Sequence, residues 1–386
     1  MLLRALRRGA PAPVRALSSV AKLDASLLTI ERRAEPGEVP SKAALKGNFG
    51  KLFSDHMLLA DWQRAAGWGA PKIVPYGDFA CSPAMMSLHY GMQCFEGMKA
   101  YRGVDGKIRL FRPDLNMARL NGSLARLGMA PFDGPAFIEC LKQLLKVDAR
   151  FVPEGEGYSA YLRPTAIATD PFLGVGESQQ TRLYAIISPV GPYYPDGFKP
   201  IKVYADSANV RAWPGGVGNA KVGGNYGPTI KPQLDAMAKY GAAQVLYLFG
   251  EEHRVTEVGA MNVFVLWHNE DGVRELVTAP LTYGDILPGV TRRSVLDLAK
   301  GLDVAVAEKS FTMPDVRKAA QEGRLLEVFG TGTAAVICPI RSIFYENAEV
   351  EVPTGDSIGP FATKLWDSLC AIHYGKVEHE WAVVIE

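Results

Sequence analysis

The hydrophobic positions change period along the chain, and the changes mark out its elements. Short apolar runs, among them 183–187 (LYAII) and 245–249 (VLYLF), have the length and composition of buried strands. Residues 107–113 read as a strand stopped by Pro113, after which Asp114 can cap a helix carrying Met117, Leu120 and Leu124 on one face. Residues 135–147 begin with proline and repeat apolar side chains at 137, 138, 141, 144 and 145, the spacing of an amphipathic helix. Further strands are predicted at about 158–167, 181–189, 201–205 and 242–249, and a hairpin at 261–267 and 274–280. Further helices are predicted at 228–240, 291–302, 313–322 and 361–374. Strands and helices interleave without a regular βαβ rhythm, so the predicted class is α+β.

A chain of 386 residues exceeds what one core usually organises, so two domains are expected. Residues 190–200 (VGPYYPDGFKP) hold three prolines and two glycines and are the best linker. They divide a smaller N-terminal α/β domain, 24–189, from a larger C-terminal domain, 201–386. Residues 1–23 differ from all that follows: Arg4, Arg7, Arg8, Arg15 and Lys22 occur with no acid before Asp24. That is the composition of a mitochondrial transit peptide, and a matrix location is expected; a basic tail on a cytosolic protein is the alternative.

The charge balance, 42 basic against 41 acidic side chains, gives a net charge of +1 and no field that would gather nucleic acid. The apolar runs are of strand length, so no membrane span is expected. Five scattered cysteines lack paired metal-ligand spacing; no metal is expected, and a reducing compartment fits. A small-molecule ligand is what remains.

The candidate chemistry starts at residues 215–227 (GGVGNAKVGGNYG), where six glycines surround Lys221. A phosphate-binding P-loop requires glycine before the lysine and a hydroxyl residue after it, whereas Ala220 and Val222 stand there. A dinucleotide fingerprint lacks its third glycine. Two readings survive: a solvated surface loop, or a buried lysine whose lowered pKa makes it a nucleophile. A lysine of the second kind suits pyridoxal phosphate, which also needs a carboxylate at its ring nitrogen and donors at its phosphate. Glu257, read as lying in a turn between apolar strands, is the candidate carboxylate. Val290 and Thr291 open a helix after Pro288 and Gly289 and offer unpaired N–H groups, and residues 330–335 (GTGTAA) form a second small-residue turn.

Taken together, residues 87–101 (SLHYGMQCFEGMKAY), 110–120, 211–228, 256–264, 287–299 and 327–340 resemble the branched-chain amino-acid aminotransferases, fold type IV pyridoxal phosphate enzymes, from about Phe49 to the C-terminus. The resemblance implies that Lys221 is the Schiff-base lysine and proton shuttle, Glu257 the partner of the pyridine nitrogen, and Tyr226 the hydroxyl at the phenolic oxygen. It assigns Arg119, Val290, Thr291 and Thr333 to the phosphate and Arg211 to a supporting place nearby. Phe49, Phe95, Tyr161 and Tyr90 would wall the substrate pocket, with Tyr90 and the Thr333–Ala334 turn near the substrate carboxylate. Arg163 is a candidate for the glutamate side chain. Val175 resembles a residue supplied by a second subunit, which implies a homodimer. The implied reaction moves the amino group of leucine, isoleucine or valine to 2-oxoglutarate. A D-amino-acid aminotransferase or 4-amino-4-deoxychorismate lyase would share Lys221 and Glu257, but the FEGMKAY and GGNYGP blocks favour the branched-chain group. Mammalian mitochondrial members carry a Cys-x-x-Cys pair after the glycine-threonine turn; here Ala335 takes the first place and only Cys338 remains.

Overall fold

The computed structural model describes residues 21–194 and 197–385. Residues 1–20 of the predicted targeting segment lie outside that range, as do residues 195–196 of the predicted linker. At the start of the described chain, Ala21 bridges to Gly67 and Leu23 is buried in the first core.

The strands of the N-terminal half include β1 (His56–Gln63), β2 (Gln93–Phe95), β3 (Met98–Arg102), β4 (Ile108–Phe111), β5 (Ser159–Ala168) and β6 (Gln180–Val190). β1, β6, β5, β3 and β4 lie side by side in that order, each antiparallel to the next, and β2 pairs with β5. Helices α1 (Pro113–Arg126) and α2 (Gly134–Val147) bury the apolar stripes that their periodicity predicts. Leu120 and Leu124 from one, and Leu141 and Leu144 from the other, join Leu58, Leu110 and Leu183 of the sheet in one core. Each contributes about 1.5–3 kcal/mol by leaving water. Asp114 does not cap α1. Pro113 occupies the first helical position, so the capping place is taken by Arg112 at φ 44°, and Asp114 stands in the first turn near the positive helix end.

The C-terminal half holds β7 (Ile201–Asp206), β8 (Gln244–Phe249), β9 (Arg254–Val258), β10 (Met261–His268), β11 (Arg274–Thr278), β12 (Leu325–Gly332) and β13 (Val336–Tyr345). Its helices are α3 (Ile230–Tyr240), α4 (Val290–Ala299), α5 (Met313–Gln321) and α6 (Pro360–His373). The strands run β9, β8, β7, β13, β12, β10, and β10 pairs back to β9, so the sheet closes on itself as a barrel. β7 is parallel to both neighbours, while β12 and β13 form an antiparallel hairpin. The α+β class is thus as expected, with barrel closure added.

The last strand, Ala382–Ile385, leaves the barrel half and pairs antiparallel with β4 of the first sheet. Arg112 supports that crossing: its N–H donates to Trp381 O at 2.8 Å, and its guanidinium stacks over the Trp381 ring at 4.1 Å. Among the described residues no helix is long and apolar enough to cross a membrane.

Candidate active site

The lysine loop is tied to the N-terminal half of the molecule at Lys221. The Lys221 backbone N–H donates to Ser123 Oγ of α1 at 2.8 Å, and its carbonyl accepts from Phe95 N at 3.0 Å. Two glycines are required for local reasons. Gly215 adopts φ +81°, and a Cβ on Gly218 would lie 2.7 Å from the backbone of Asp285. The glycines therefore press the loop against the segment before α4, and Lys221 is no solvated surface lysine.

Lys221, Phe49, Phe95, Tyr161, Arg163, Tyr226, Thr333 and Ala334 all line one cavity of about 480 Å³. Phe49 meets Tyr161 edge-on with ring centroids 5.0 Å apart, and Phe95 tilts against Tyr226 at the same separation. Lys221 Nζ donates to Tyr226 Oη at 2.8 Å and lies 4.8 Å from the Phe95 ring centroid. Burial is the main cause that lowers the Lys221 amine to about 7, and the charges of Arg119 and Arg163 add to it. Burial raises the Tyr226 phenol to about 12, reinforced by the Glu257 charge, so Tyr226 keeps its proton.

Glu257 lies in β9 opposite Asn262 of β10, and the turn follows it at Gly259–Ala260. The sequence reading that put it in the turn is corrected by the pairing of the two strands. It is 2% exposed, and burial raises its carboxyl against the opposing charge of Arg211. Oε1 accepts from Leu287 N at 3.0 Å and from Asn262 Nδ2 at 3.1 Å. Oε2 stands 2.6 Å from Arg211 Nη1, but neither atom has a hydrogen bond of acceptable geometry. A buried carboxylate oxygen held near a cation and still lacking a donor is what a protonated ring nitrogen would satisfy.

Arg119 joins the two halves. Its Nε and Nη2 donate to the carboxylate of Glu96, both at 2.7 Å, and Nη1 donates to Pro288 O at 3.0 Å. Two of its five N–H donors remain available to an anion. Arg119 and Val290 line a cleft together with Asn219 and Ala220, the two residues that precede Lys221. α4 begins at Val290 after Gly289, with no side-chain cap on its first N–H groups. Those free donors at the positive helix end, with Arg119 beside them, have the chemistry of a phosphate cup. Thr291 is buried in the same first turn, and Thr333 Oγ1 donates to Gly97 O at 3.2 Å.

Two expected pocket residues are not brought to Lys221 within this chain. Tyr90 is 41% exposed, with its hydroxyl donating to Leu173 O at 2.9 Å, and Val175 is 79% exposed on the same loop. Neither lines the Lys221 cavity. Within one chain Tyr90 stands with Val175 on an exposed apolar patch that also includes Leu88 and Phe172. Glu96, Lys99 and Ser123 are not singled out by sequence reasoning. A glutamate and a lysine within the otherwise apolar run 94–101 are the available signal for two of them.

Residues 93–343 match the family described as amino-transferase class IV. The chain is 51% identical over 379 residues to the branched-chain-amino-acid aminotransferase of Monosiga brevicollis, covering 97% of this chain and 96% of that one. It is 48% identical to the mitochondrial enzyme of that name from Mus musculus, covering 95% and 93%, and 44% identical to the cytosolic one from Ovis aries, covering 93% and 92%. Among solved structures, the branched-chain amino acid aminotransferase of Escherichia coli matches with a TM-score of 0.68 at 26% identity, covering 81% of this chain and 97% of that one. On these matches, which span nearly the whole chain, the chain belongs to the branched-chain-amino-acid aminotransferases of the class IV family.

Proposed function

We propose that this chain exchanges the amino group of leucine, isoleucine or valine with 2-oxoglutarate, using pyridoxal phosphate held against Lys221. The observation that carries the reading is Lys221 itself, an amine brought to about 7 beside Tyr226 in a cavity walled by Phe49, Phe95 and Tyr161. When bound, the cofactor supplies an aldehyde that takes up the amino group and a pyridinium ring that draws electron density from the substrate Cα. Glu257 Oε2 would hold the ring-nitrogen proton, with Arg211 keeping the carboxylate charged. Arg119 and the Val290 and Thr291 N–H groups would hold the phosphate.

Lys221 Nζ acts as the base at the substrate Cα, because an amine near 7 is partly unprotonated at working pH and still able to return the proton. Tyr226 Oη orients it. The aromatic walls exclude water around an aliphatic side chain. The turn at Thr333–Ala334 receives the α-carboxylate. Arg163, stacked 4.7 Å from the Phe95 ring centroid and half-buried, with its Nε inaccessible and unpaired, receives the side-chain carboxylate of glutamate. In a homodimer the exposed patch carrying Tyr90 and Val175 packs on a second copy and completes that copy's pocket; a Val175→Asp protein that stayed dimeric and fully active would refute this. The basic segment 1–23 directs the chain to mitochondria, although relatives bear both mitochondrial and cytosolic names. A reporter fused to residues 1–30 that stayed in the cytosol would overturn that.

The deciding experiment is a substrate panel on the purified protein and on Lys221→Ala. The wild type is expected to bind cofactor with visible absorbance and to transaminate branched-chain L-amino acids in preference to D-alanine. Lys221→Ala is expected to fold without turnover. Unimpaired leucine transamination by Lys221→Ala would remove the mechanism.

A further inference from the structure

The hairpin turn of residues 333–335, between β12 and β13, carries backbone strain. Val336, a β-branched residue, stands at φ 62°, in the left-handed region that such side chains avoid. A conformation of this kind persists only where its surroundings over-determine it. Two bonds from one short stretch of the first sheet do so here. Thr333 Oγ1 donates to Gly97 O at 3.2 Å, and Lys99 Nζ donates to Ala334 O at 2.8 Å. Lys99 is 7% exposed, and among the described residues no carboxylate pairs with it. Thr333, Ala334 and Ala335 line the Lys221 cavity, and among the described residues their N–H groups donate to no acceptor outside the hairpin. Successive N–H groups without an acceptor are the donors from which anion-binding concavities are built.

We propose that Lys99 is a positioning residue for substrate: its ammonium fixes and polarises the Ala334 carbonyl, so that the turn presents its N–H groups, that of Ala335 foremost, to the α-carboxylate. The Ala334 carbonyl and the Ala335 N–H belong to the same peptide unit. A cation on the oxygen withdraws electron density from the nitrogen and strengthens it as a donor. The proposal rests on the reading that this turn receives the α-carboxylate.

Behind the turn, Lys99 faces a second cavity of about 300 Å³. Tyr101 lines it from β3, Cys370 and His373 from α6, with Tyr374 just beyond that helix, Glu156 from the loop before β5, and Tyr193 and Tyr194 from the linker. Burial, reinforced by the Lys99 charge, lowers His373 to about 3, and burial raises Cys370 to about 12, so both are neutral near pH 7. The Glu156 carboxylate is at the rim, bound to Lys376 Nζ at 3.1 Å. Lys99 itself is lowered to about 8 by burial, so its charge is present at pH 7 and fades as pH rises through 8.

The test uses the cofactor-loaded enzyme and 4-methylvalerate, a carboxylate with the leucine skeleton but no amino group, titrated calorimetrically against wild type, Lys99→Met and Lys99→Arg. Lys99→Met is expected to bind it roughly tenfold more weakly and to raise the KM for leucine similarly, with kcat within about twofold. Lys99→Arg, permanently charged, is expected to restore binding to within about threefold. Between pH 7 and 9 the wild type should lose affinity relative to Lys99→Arg, a difference that a merely structural lysine would not produce. Equal affinity in wild type and Lys99→Met, or coincident pH profiles in wild type and Lys99→Arg, overturns the proposal; the second comparison decides alone if Lys99→Met does not fold. A wild type that transaminates leucine yet fails to bind 4-methylvalerate refutes the carboxylate reading of the turn, and the proposal with it. A wild type that binds but does not transaminate leucine refutes the functional reading only.

Discussion

Replacing Glu96 with glutamine isolates what holds Arg119 in place. Glu96 is fully buried and accepts four hydrogen bonds: from Arg119 Nε and Nη2 and from Asn116 Nδ2 at 2.7 Å, and from Gly97 N at 3.2 Å. An amide offers one oxygen where the carboxylate offers two. Whichever way it is turned, its NH₂ faces a donor of Arg119, and the guanidinium charge loses its counter-ion in a dry place. Removing one member of such a buried pair costs about 3–5 kcal/mol, a large share of the ~5–15 kcal/mol that folded proteins possess. In urea that is a fall in midpoint of about 1–2 M. The cofactor phosphate can partly replace the lost charge, so the cofactor-free variant should lose more stability than the loaded one. Paired denaturation curves, with and without pyridoxal phosphate, measure both losses. A loss below about 1 kcal/mol in the cofactor-free protein, or an equal loss in both forms, would show that Arg119 does not depend on Glu96 in this way.

Glu257→Gln should keep bound cofactor yet transaminate leucine at least tenfold more slowly, since a neutral amide cannot hold a ring nitrogen protonated; unchanged kinetics would point to another group. The folded-state amine of Lys221 lies near 7 against 10.5 for an unperturbed lysine, so between those values the unfolded chain binds the extra proton and the cofactor-free protein gains stability as pH rises. Lys221→Met should therefore stabilise that form most below pH 7 and least toward pH 10, and pH-resolved denaturation of the two proteins checks the convergence. Cys338 is 2% exposed with its thiol raised by burial, so mild peroxide should leave leucine turnover largely intact in wild type and Cys338→Ser alike. Dithiothreitol-reversible loss confined to the wild type would contradict that.

What can be read in the sequence is what depends on local pattern. The stripes of α1 and α2, the hairpin of β10 and β11, and the start of α4 at Val290 follow from period and from proline or glycine punctuation. β12 and β13 escape such a reading, because Gly330, Gly332 and Pro339 interrupt their apolar runs while the pairing that stabilises them comes from β10 and β7, distant in sequence. Barrel closure is likewise a long-range property with no local signature. In the site, Lys221 and Glu257 announce themselves through unusual settings, a glycine cluster and an acid among apolar residues. Lys99 does not, because its importance lies in a bond to Ala334 made 235 residues along the chain. Tyr90 is assigned to the pocket by its motif, whereas a single chain leaves it on the exposed patch with Val175, a placement no linear block can foresee.

The return of Ala382–Ile385 to β4 has a consequence for synthesis. β4 is made early, yet the partner for its outer edge follows about 270 residues later, Phe111 pairing with Ala382. At ordinary elongation rates that edge stays open for on the order of tens of seconds, with its N–H and C=O groups free to pair with any other extended chain. Ile108 and Leu110 on β4 are buried in the finished protein and would be the apolar part of that exposed seam. Until residues 382–385 arrive, that seam is the surface a chaperone would have to cover, and a chain without them leaves it open permanently.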